Sequence, residues 1–186
     1  MKGLNIAFDL DNTLFNIETA IQCLMADDGV VYCRQKHFRI DTEPVISRNK
    51  VWGYIKSAYE KIDILEPLPG AIELLTKLWE KTQTPCKIIT ARPIEAANLT
   101  YQLTQKHFKF PHEVILVEGW QVKLCYLRNM CYFVDDRRRT ALQLACNDKI
   151  VFVPRRTYNN IDNYPDNLIF INEVVDLIPL IDEFIY

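Results

Sequence analysis

The sequence predicts an α/β protein whose parallel sheet is covered by helices on both faces. Two observations carry this prediction. From residue 70 onward short apolar strands alternate with amphipathic helices, and polar residues directly follow several of the strands. Alternation of this kind is typical of βαβ units, whose strands run parallel and are buried on both faces. Reactive side chains of such sheets gather beyond the carboxyl ends of the strands, so we expect these polar residues to lie together.

Length and composition fit one globular domain with a small insertion. The chain has 186 residues, of which 49% are hydrophobic and 25% charged, enough for a sizeable core. Its formal net charge of -2 argues against a surface that coats nucleic acid. No apolar run reaches the roughly 18 to 20 residues that span a bilayer. The first residues also lack the pattern of a signal peptide, so we expect a cytoplasmic protein with no membrane partner.

The first predicted strand, at residues 4–8, ends in two acids. Asp9 and Asp11 are one residue apart, and Asn12 and Thr13 follow them. A buried strand that ends in two carboxylates is explained by a hard cation such as Mg2+ between them. An ordinary Asp/Asn turn is the alternative, and this stretch alone leaves both interpretations open.

A mainly helical insertion is predicted directly after this strand. Residues 15–26 and 45–62 have apolar side chains at helical spacing, and for residues 30–41 between them we expect an irregular segment. The run Glu66-Pro67-Leu68-Pro69-Gly70 ends the section sharply. We therefore predict a small helical cap at residues 15–66 and an α/β core formed by residues 1–14 and 67–186.

The remainder of the chain alternates regularly between helices and strands. We predict helices at 71–81, 93–107, 120–129 and 138–146, and strands at 86–89, 113–117, 131–134, 150–153 and 168–171. A last helix is expected from Asn172, a good N-cap residue, and Pro179 is expected to bend or break it.

Three predicted strands end in residues that can carry chemistry. These are Asp9 and Asp11 after the first strand, Thr90 and Arg92 after the strand at 86–89, and Asp135 and Asp136 after the strand at 131–134. Four carboxylates in one crevice repel one another unless a cation binds between them. Lys123, near the start of the preceding helix, can reach the same crevice and neutralise part of that charge. The pattern predicts a metal site at these strand ends.

Together these residues resemble the motifs of the haloacid dehalogenase superfamily of phosphohydrolases. The stretch Asp9-Leu10-Asp11-Asn12-Thr13 is similar to its first motif, Thr90 to the second, Lys123 to the third and the pair Asp135-Asp136 to the fourth, in the same order. The resemblance covers residues 4–14 and 70–154. It implies a Rossmann-like parallel sheet, Mg2+ as the cofactor and a small-molecule phosphomonoester as the partner.

The resemblance also implies a role for each residue. Asp9 would attack phosphorus and form an aspartyl-phosphate, and Asp11 would protonate the leaving alkoxide and then activate water. The expected metal ligands are Asp9, the carbonyl of Asp11, Asp136, and Asp135 either directly or through a water. The groups expected to hold the phosphoryl oxygens are Asn12 through its backbone, Thr90, Ala91 and Lys123. Dehalogenating members lack the second acid, so Asp11 disfavours dehalogenation here.

A narrower resemblance concerns the 5'(3')-deoxyribonucleotidases. It rests on residues 8–14, 89–93, 134–137 and 153–159, and it implies a helical cap after the first motif and a nucleoside monophosphate as substrate. Aromatic residues of the cap would then hold the base, unless they only form the core of the cap. The candidates for substrate contact are Phe15, Phe38, Trp52 and Tyr54, together with Arg92 and Arg155.

Three alternatives remain open at this point. The first is a 3'-phosphatase that acts on polynucleotide ends, which the clustered arginines at 137–139 and 155–156 keep open although the net charge weighs against it. The second is a phosphatase of another small phosphorylated metabolite. The third is a phosphatase-like module that only binds its ligand, which the complete set of acids makes the weakest of the three.

Overall fold

The computed structural model describes residues 3–35, 39–43, 46–118, 120–127, 130–159 and 163–185. In chain order the elements are β1 (Ile6–Phe8), α1 (Ile17–Asp27), β2 (Val31–Gln35), β3 (Arg39–Glu43), α2 (Arg48–Glu60), α3 (Ala71–Thr82), β4 (Cys86–Thr90), a 3-10 turn (Ile94–Ala96), α4 (Ala97–His107), β5 (His112–Leu116), α5 (Trp120–Tyr126), β6 (Tyr132–Val134), α6 (Arg138–Ala145), β7 (Ile150–Pro154), β8 (Leu168–Ile171) and a C-terminal 3-10 helix (Val174–Phe184). Within these ranges, each helix is too short or too polar to cross a lipid bilayer.

A six-stranded sheet in the order β5-β4-β1-β6-β7-β8 organises the fold, and every neighbouring pair in it is parallel. The predicted fold class is therefore confirmed. Strand β1 lies at the centre, where Phe8 is opposite Ile88 of β4 and Val134 of β6. Asp9 and Asp135, which follow these paired residues, consequently emerge side by side at the carboxyl edge of the sheet.

The two faces of the sheet are packed by separate hydrophobic clusters. Ile6 and Phe8 belong to the cluster that contains residues of α3 and the C-terminal 3-10 helix, whereas Ala7 belongs to the one that contains residues of α6. Successive side chains of a strand point to opposite faces, so three apolar residues in a row serve both layers. This double burial fixes β1 and, with it, the position of the acids that follow.

The segment between β1 and α3 contains α1, α2 and an antiparallel hairpin formed by β2 and β3. The expectation of an irregular segment at 30–41 was wrong, because Val31 pairs with Glu43 and Gln35 with Arg39. Charged and polar residues interrupt the alternation of apolar and polar residues that indicates a strand, so the local sequence does not predict the hairpin. The helices agree with the sequence, and side chains of Asn16 and Ser47 cap α1 and α2 respectively.

The two ends of this segment lie next to each other. The backbone N–H of Asn16 donates to the Glu66 carbonyl at 3.1 Å, and the N–H of Leu68 donates to the Leu14 carbonyl at 2.8 Å. An insertion that leaves and rejoins a sheet at adjacent points fits the predicted cap at residues 15–66. That division into cap and core stays a prediction.

The C-terminal segment differs from its prediction. A 3-10 helix runs through Pro179, and Glu173 rather than Asn172 is its N-cap. The shift has a local cause, because Glu173 and Asp176 form a reciprocal capping box that fixes the start of the helix. The predicted helix at 93–107 likewise begins with a 3-10 turn and becomes α-helical only from Ala97.

Gly70 precedes α3 in a left-handed conformation that residues with a side chain rarely adopt. Its φ is +77°, and a Cβ built there would lie 2.3 Å from the Cβ of Val175. We expect Gly70→Ala to lower the free energy of unfolding by about 2–4 kcal/mol, combining left-handed backbone strain with overpacking. Equilibrium unfolding in urea measures this loss.

Two other glycines provide matched controls for this substitution. Gly29 has a φ of +68° with open space around it, so Gly29→Ala should show the backbone cost alone, about 1–2 kcal/mol. Gly53 lies inside α2 with open space, so Gly53→Ala should gain up to about 1 kcal/mol from helix propensity. An equal loss for Gly29→Ala and Gly70→Ala would contradict the close contact with Val175.

Candidate active site

Three buried carboxylates meet at the carboxyl edge of the sheet. Asp9 follows β1, whereas Asp135 and Asp136 follow the neighbouring strand β6. One carboxylate oxygen of each lies within 4.8 Å of the others, and Asp9, the most accessible of the three, is only 4% exposed. The pairing of β1 with β6 thus brings together two of the sequence motifs that were predicted to share a site.

Lys123 of α5 is ion-paired with two of these acids. Its Nζ donates to Asp9 Oδ1 at 2.7 Å and to Asp135 Oδ2 at 2.9 Å. Burial works to lower the pKa of Lys123, but the charges of Asp135 and Asp9 outweigh it and raise this pKa above its usual value. The side chain is therefore a fixed ammonium ion, as the sequence predicted for a lysine that reaches the crevice.

Two cations, Lys123 and Arg137, do not balance the charge of the three acids. Burial, the largest effect, raises the pKa of Asp9, and Asp135 and Asp136 raise it further, whereas Lys123 and Arg137 lower it, so that the pKa of Asp9 lies at about 7 instead of 3.8. Full ionisation of the cluster therefore needs positive charge beyond these two side chains. Hard carboxylate oxygens suit Mg2+, and the three oxygens, which lie within 4.8 Å of one another, are near enough to close around one such ion. The residues present fit this ion.

Asp11 is held by a bidentate ion pair with Arg92. The Nη2 of Arg92 donates to Asp11 Oδ1 at 2.6 Å and its Nε donates to Oδ2 at 3.0 Å. The guanidinium group also donates to Thr100 Oγ1 at 3.4 Å and lies 4.8 Å from the centre of the Tyr59 ring. The arginine is buried, and its donors face Asp11 and Thr100. The substrate contact predicted for Arg92 stays a prediction.

Asn12 turns the chain after the two acids. Its φ is +56°, a left-handed conformation that asparagine tolerates better than most residues. The Asn12 N–H donates to the Phe15 carbonyl at 2.7 Å, so this amide is directed into its own loop instead of towards a phosphoryl group. The turn also places Thr13 Oγ1 where it accepts the Asp136 N–H at 3.2 Å.

Thr90 and Ala91 end β4 on the other side of β1. Thr90 is buried, and its Oγ1 accepts the backbone N–H of Arg92 at 3.3 Å. A hydroxyl that accepts through its oxygen still has its own hydrogen to donate to an anion. Ala91, which follows, is half-buried. The phosphate-binding roles of both residues stay predictions.

Sequence reasoning missed the side chains that hold Asp136. The Tyr158 hydroxyl donates to Asp136 Oδ2, and Asn159 Nδ2 donates to the Asp136 carbonyl at 2.9 Å. Both residues lie in the loop after β7, for which the sequence offers only the family resemblance of residues 153–159. The sequence signal that could have indicated them is a tyrosine followed by an asparagine just beyond a strand end.

The aromatic candidates for substrate contact have different environments. Phe15 is fully buried, with its ring centre 5.4 Å from those of His107 and Phe108, which fits the alternative of a core residue. Trp52 on α2 is 48% exposed. The Tyr54 hydroxyl donates to Asp28, and Phe38 lies outside the described residues.

The two arginines after β7 point in different directions. Arg155 is exposed, and its guanidinium carbon lies 4.9 Å from the ring centre of Phe170 on β8. Arg156 instead donates to the Asn12 carbonyl at 3.4 Å and forms an ion pair with Glu173. The structure therefore brings Arg156 to the loop that carries Asp11. The substrate contact predicted for Arg155 stays a prediction.

Solved structures similar to this chain cover almost its entire length. CbbY from Rhodobacter sphaeroides, in complex with phosphate, is 14% identical with a TM-score of 0.59, covering 94% of this chain and 96% of its own. A haloacid dehalogenase-like family hydrolase from Xanthomonas campestris is 11% identical with a TM-score of 0.57, covering 98% and 97%. A dehalogenase with an intermediate complex is 14% identical with a TM-score of 0.63, covering 95% and 96%.

These likenesses concern the course of the backbone, because fewer than one residue in six is identical. No protein-family model matches the sequence, and no curated protein matches it significantly. The parallel sheet, with acids that follow β1 and β6, agrees with the predicted fold class. The chain therefore has the α/β fold of the haloacid dehalogenase-like hydrolases.

Proposed function

We propose that the protein is a phosphomonoesterase with Asp9 as nucleophile and Mg2+ as cofactor. The observation that carries the proposal is the buried cluster in which Lys123 bridges Asp9 and Asp135, with Asp136 alongside. A structural ion pair needs no third carboxylate at the same point. A site that must neutralise a dianion and its attacking carboxylate needs this excess of ligands for a cation.

Asp9 would act as the nucleophile. Lys123 donates to its Oδ1, so Oδ2 is the oxygen that would attack phosphorus. Attack forms the bond from Asp9 to phosphorus and breaks the ester bond, whose electron pair leaves with the alkoxide. When bound by Asp9, Asp136 and the Asp11 carbonyl, with Asp135 directly or through a water, Mg2+ supplies positive charge that reduces the repulsion between carboxylate and phosphate.

Asp11 would carry the protons of both half-reactions. As an acid it protonates the leaving alkoxide, and as a base it then takes a proton from the water that hydrolyses the aspartyl-phosphate. Its bidentate contact with Arg92 fixes the direction of the carboxylate. Lys123 and the hydroxyl of Thr90 would hold the phosphoryl oxygens while negative charge builds on them.

Support for phosphate chemistry over dehalogenation comes from Asp11. A dehalogenase releases a halide, which needs no proton, whereas the alkoxide that leaves a phosphomonoester does, and Asp11 would supply it. One of the similar structures, CbbY from Rhodobacter sphaeroides, holds phosphate. Hydrolysis of a phosphate ester uses every charged residue of the cluster.

For the substrate we propose a nucleoside monophosphate. The support is the resemblance of residues 8–14, 89–93, 134–137 and 153–159 to the deoxyribonucleotidases. Trp52, half-exposed on α2, offers an aromatic surface in the predicted cap. The net charge of -2 favours a small molecule over a polynucleotide end.

A substrate panel tests this proposal. Phosphate release is measured with ribo- and deoxynucleoside 5'- and 3'-monophosphates, sugar phosphates and 3'-phosphorylated oligonucleotides, each with Mg2+ and with EDTA. We expect Mg2+-dependent release that is fastest with a nucleoside monophosphate. Activity confined to sugar phosphates would overturn the nucleotide assignment alone. Salt-sensitive activity on oligonucleotides would favour the end-processing alternative, and inactivity on every ester would overturn the phosphomonoesterase itself.

A further inference from the structure

The loop after β7, residues 155–159, connects two strand-end loops of the candidate site. Arg156 donates to the carbonyl of Asn12 in the loop after β1. Tyr158 and Asn159 both donate to Asp136 in the loop after β6. Tyr158 and Asn159 are buried, and the proposed reaction uses neither of them. Each of the two thus contacts the same metal-ligand candidate.

Asp136 is held at three separate points. Its backbone N–H donates to Thr13 Oγ1 at 3.2 Å, its carbonyl accepts from Asn159 Nδ2 at 2.9 Å, and its Oδ2 accepts from the Tyr158 hydroxyl. The first two contacts fix the backbone, and the third fixes the carboxylate. The orientation of this side chain is therefore set before any cation binds.

Asn159 gives the tyrosine a rigid base. Its Nδ2 also donates to the Pro154 carbonyl at 2.8 Å, and its Oδ1 accepts the Arg156 N–H at 2.9 Å. The side chain thereby closes the loop on itself and on the end of β7. Tyr158, the preceding residue, is fully buried, so its hydroxyl has little freedom to leave Asp136.

A phenol donor on one carboxylate oxygen affects how that carboxylate can bind a cation. Two-oxygen chelation would require Oδ2 to serve the Tyr158 proton and the cation together. The other acids are similarly engaged, since Lys123 binds Asp9 Oδ1 and Asp135 Oδ2, and the Arg137 N–H binds Asp135 Oδ1 at 2.8 Å. Each of the three acids thus has at least one oxygen that already accepts a hydrogen bond, which works against chelation of a cation by both oxygens.

This arrangement bears on the choice between two hard cations. Mg2+ requires near-octahedral geometry at about 2.1 Å and usually takes one oxygen from each carboxylate, whereas Ca2+ accepts six to eight oxygens and often chelates a carboxylate with both. On the basis of the metal site in the proposed function, we propose that Tyr158 keeps Asp136 a one-oxygen ligand and thereby selects Mg2+ over Ca2+. Tyr158 is then a positioning residue that determines metal specificity.

The test measures binding of each cation without substrate. Calorimetric titration of Mg2+ and of Ca2+ into metal-free protein gives two dissociation constants for wild type and for Tyr158→Phe. Loss of an outer-shell partner typically weakens metal binding about 10–100-fold, so we expect the Mg2+ constant to rise by about tenfold. The Ca2+ constant should change less or improve, and the preference for Mg2+ should fall accordingly.

Tyr164→Phe is the matched control. Tyr164 lies in the next turn of the chain, is 45% exposed and packs against Phe170 instead of the site. It should leave both dissociation constants unchanged. A purely structural role of the Tyr158 hydroxyl would weaken both cations equally, and an unchanged ratio in Tyr158→Phe would overturn the proposal.

Two further outcomes separate this inference from the proposed function. If wild type binds neither cation, the metal site itself is refuted. If wild type binds Mg2+ and Tyr158→Phe keeps the same preference, only the role of Tyr158 is refuted. Asn159→Ser provides a second variant, because it removes the hydrogen bonds that hold the loop around Tyr158. It should shift the ratio of the Mg2+ and Ca2+ dissociation constants in the same direction. Failure of both variants to fold in saturating Mg2+ would assign the loop to folding and overturn the proposal.

Discussion

Asp9→Asn is expected to reduce phosphate release by roughly four orders of magnitude or more. An amide oxygen does not attack phosphorus to give a stable acyl phosphate, so the first half-reaction has no nucleophile. The exchange is nearly isosteric, and Lys123 can still donate to the oxygen of the amide. The measurement is the initial rate of phosphate release from the best ester of the substrate panel.

Asp166→Asn is the control for this loss. Asp166 is exposed on the loop before β8, and its replacement should leave the rate unchanged. A covalent test accompanies the rates: wild type quenched during turnover of a radiolabelled ester should retain label that hydroxylamine removes, and Asp9→Asn should retain none. Full activity of Asp9→Asn would refute the mechanism.

The same substitution should stabilise the metal-free protein at alkaline pH. The pKa of Asp9 is raised from 3.8 to about 7 by burial against the opposing effect of Lys123. A group with a raised pKa stabilises the fold below its unfolded pKa, and this contribution is lost as pH rises through the folded pKa. At about 1.4 kcal/mol for each pKa unit, wild type should lose up to about 4 kcal/mol between pH 4 and 8. Asn carries no such charge.

Urea unfolding in EDTA at several pH values measures this effect. His107 contributes with the opposite sign, because burial lowers its pKa, so its contribution to stability grows as pH rises. The difference between Asp9→Asn and wild type removes that common contribution. We expect this difference to grow from pH 4 to 8 in favour of the variant, and Mg2+ at pH 8 to stabilise wild type more than the variant. A difference that does not depend on pH would contradict the raised pKa.

Local pattern was sufficient to predict the fold class and which strands end in acids. Helices and strands of the second half follow from apolar spacing within single elements. Parallel pairing then requires Asp9 and Asp135 to emerge together, because β1 and β6 are neighbours. Lys123 was predictable for a similar reason. It lies on the helix directly before β6, so it is close in sequence to Asp135, one of the acids that it contacts.

Contacts between distant parts of the chain were not predictable in the same way. The partner of Arg92 is Asp11, 81 residues away, and nothing near the arginine indicates whether it meets substrate or a carboxylate. The hydrogen bond from Tyr158 to Asp136 depends on the conformation of the loop after β7. Asn159 holds that conformation through its own hydrogen bonds. The hairpin of β2 and β3 was missed because its sequence lacks alternation.

The adjacent ends of the segment after β1 have a consequence for how the protein can change. The hydrogen bonds of Asn16 with Glu66 and of Leu68 with Leu14 join the two ends of this segment, so it behaves as one long loop. Lengthening a loop whose ends already meet costs little, about 0.6 kcal/mol for each doubling. The sequence and length of the segment between β1 and α3 can therefore change, while the sheet that carries the acids keeps its register.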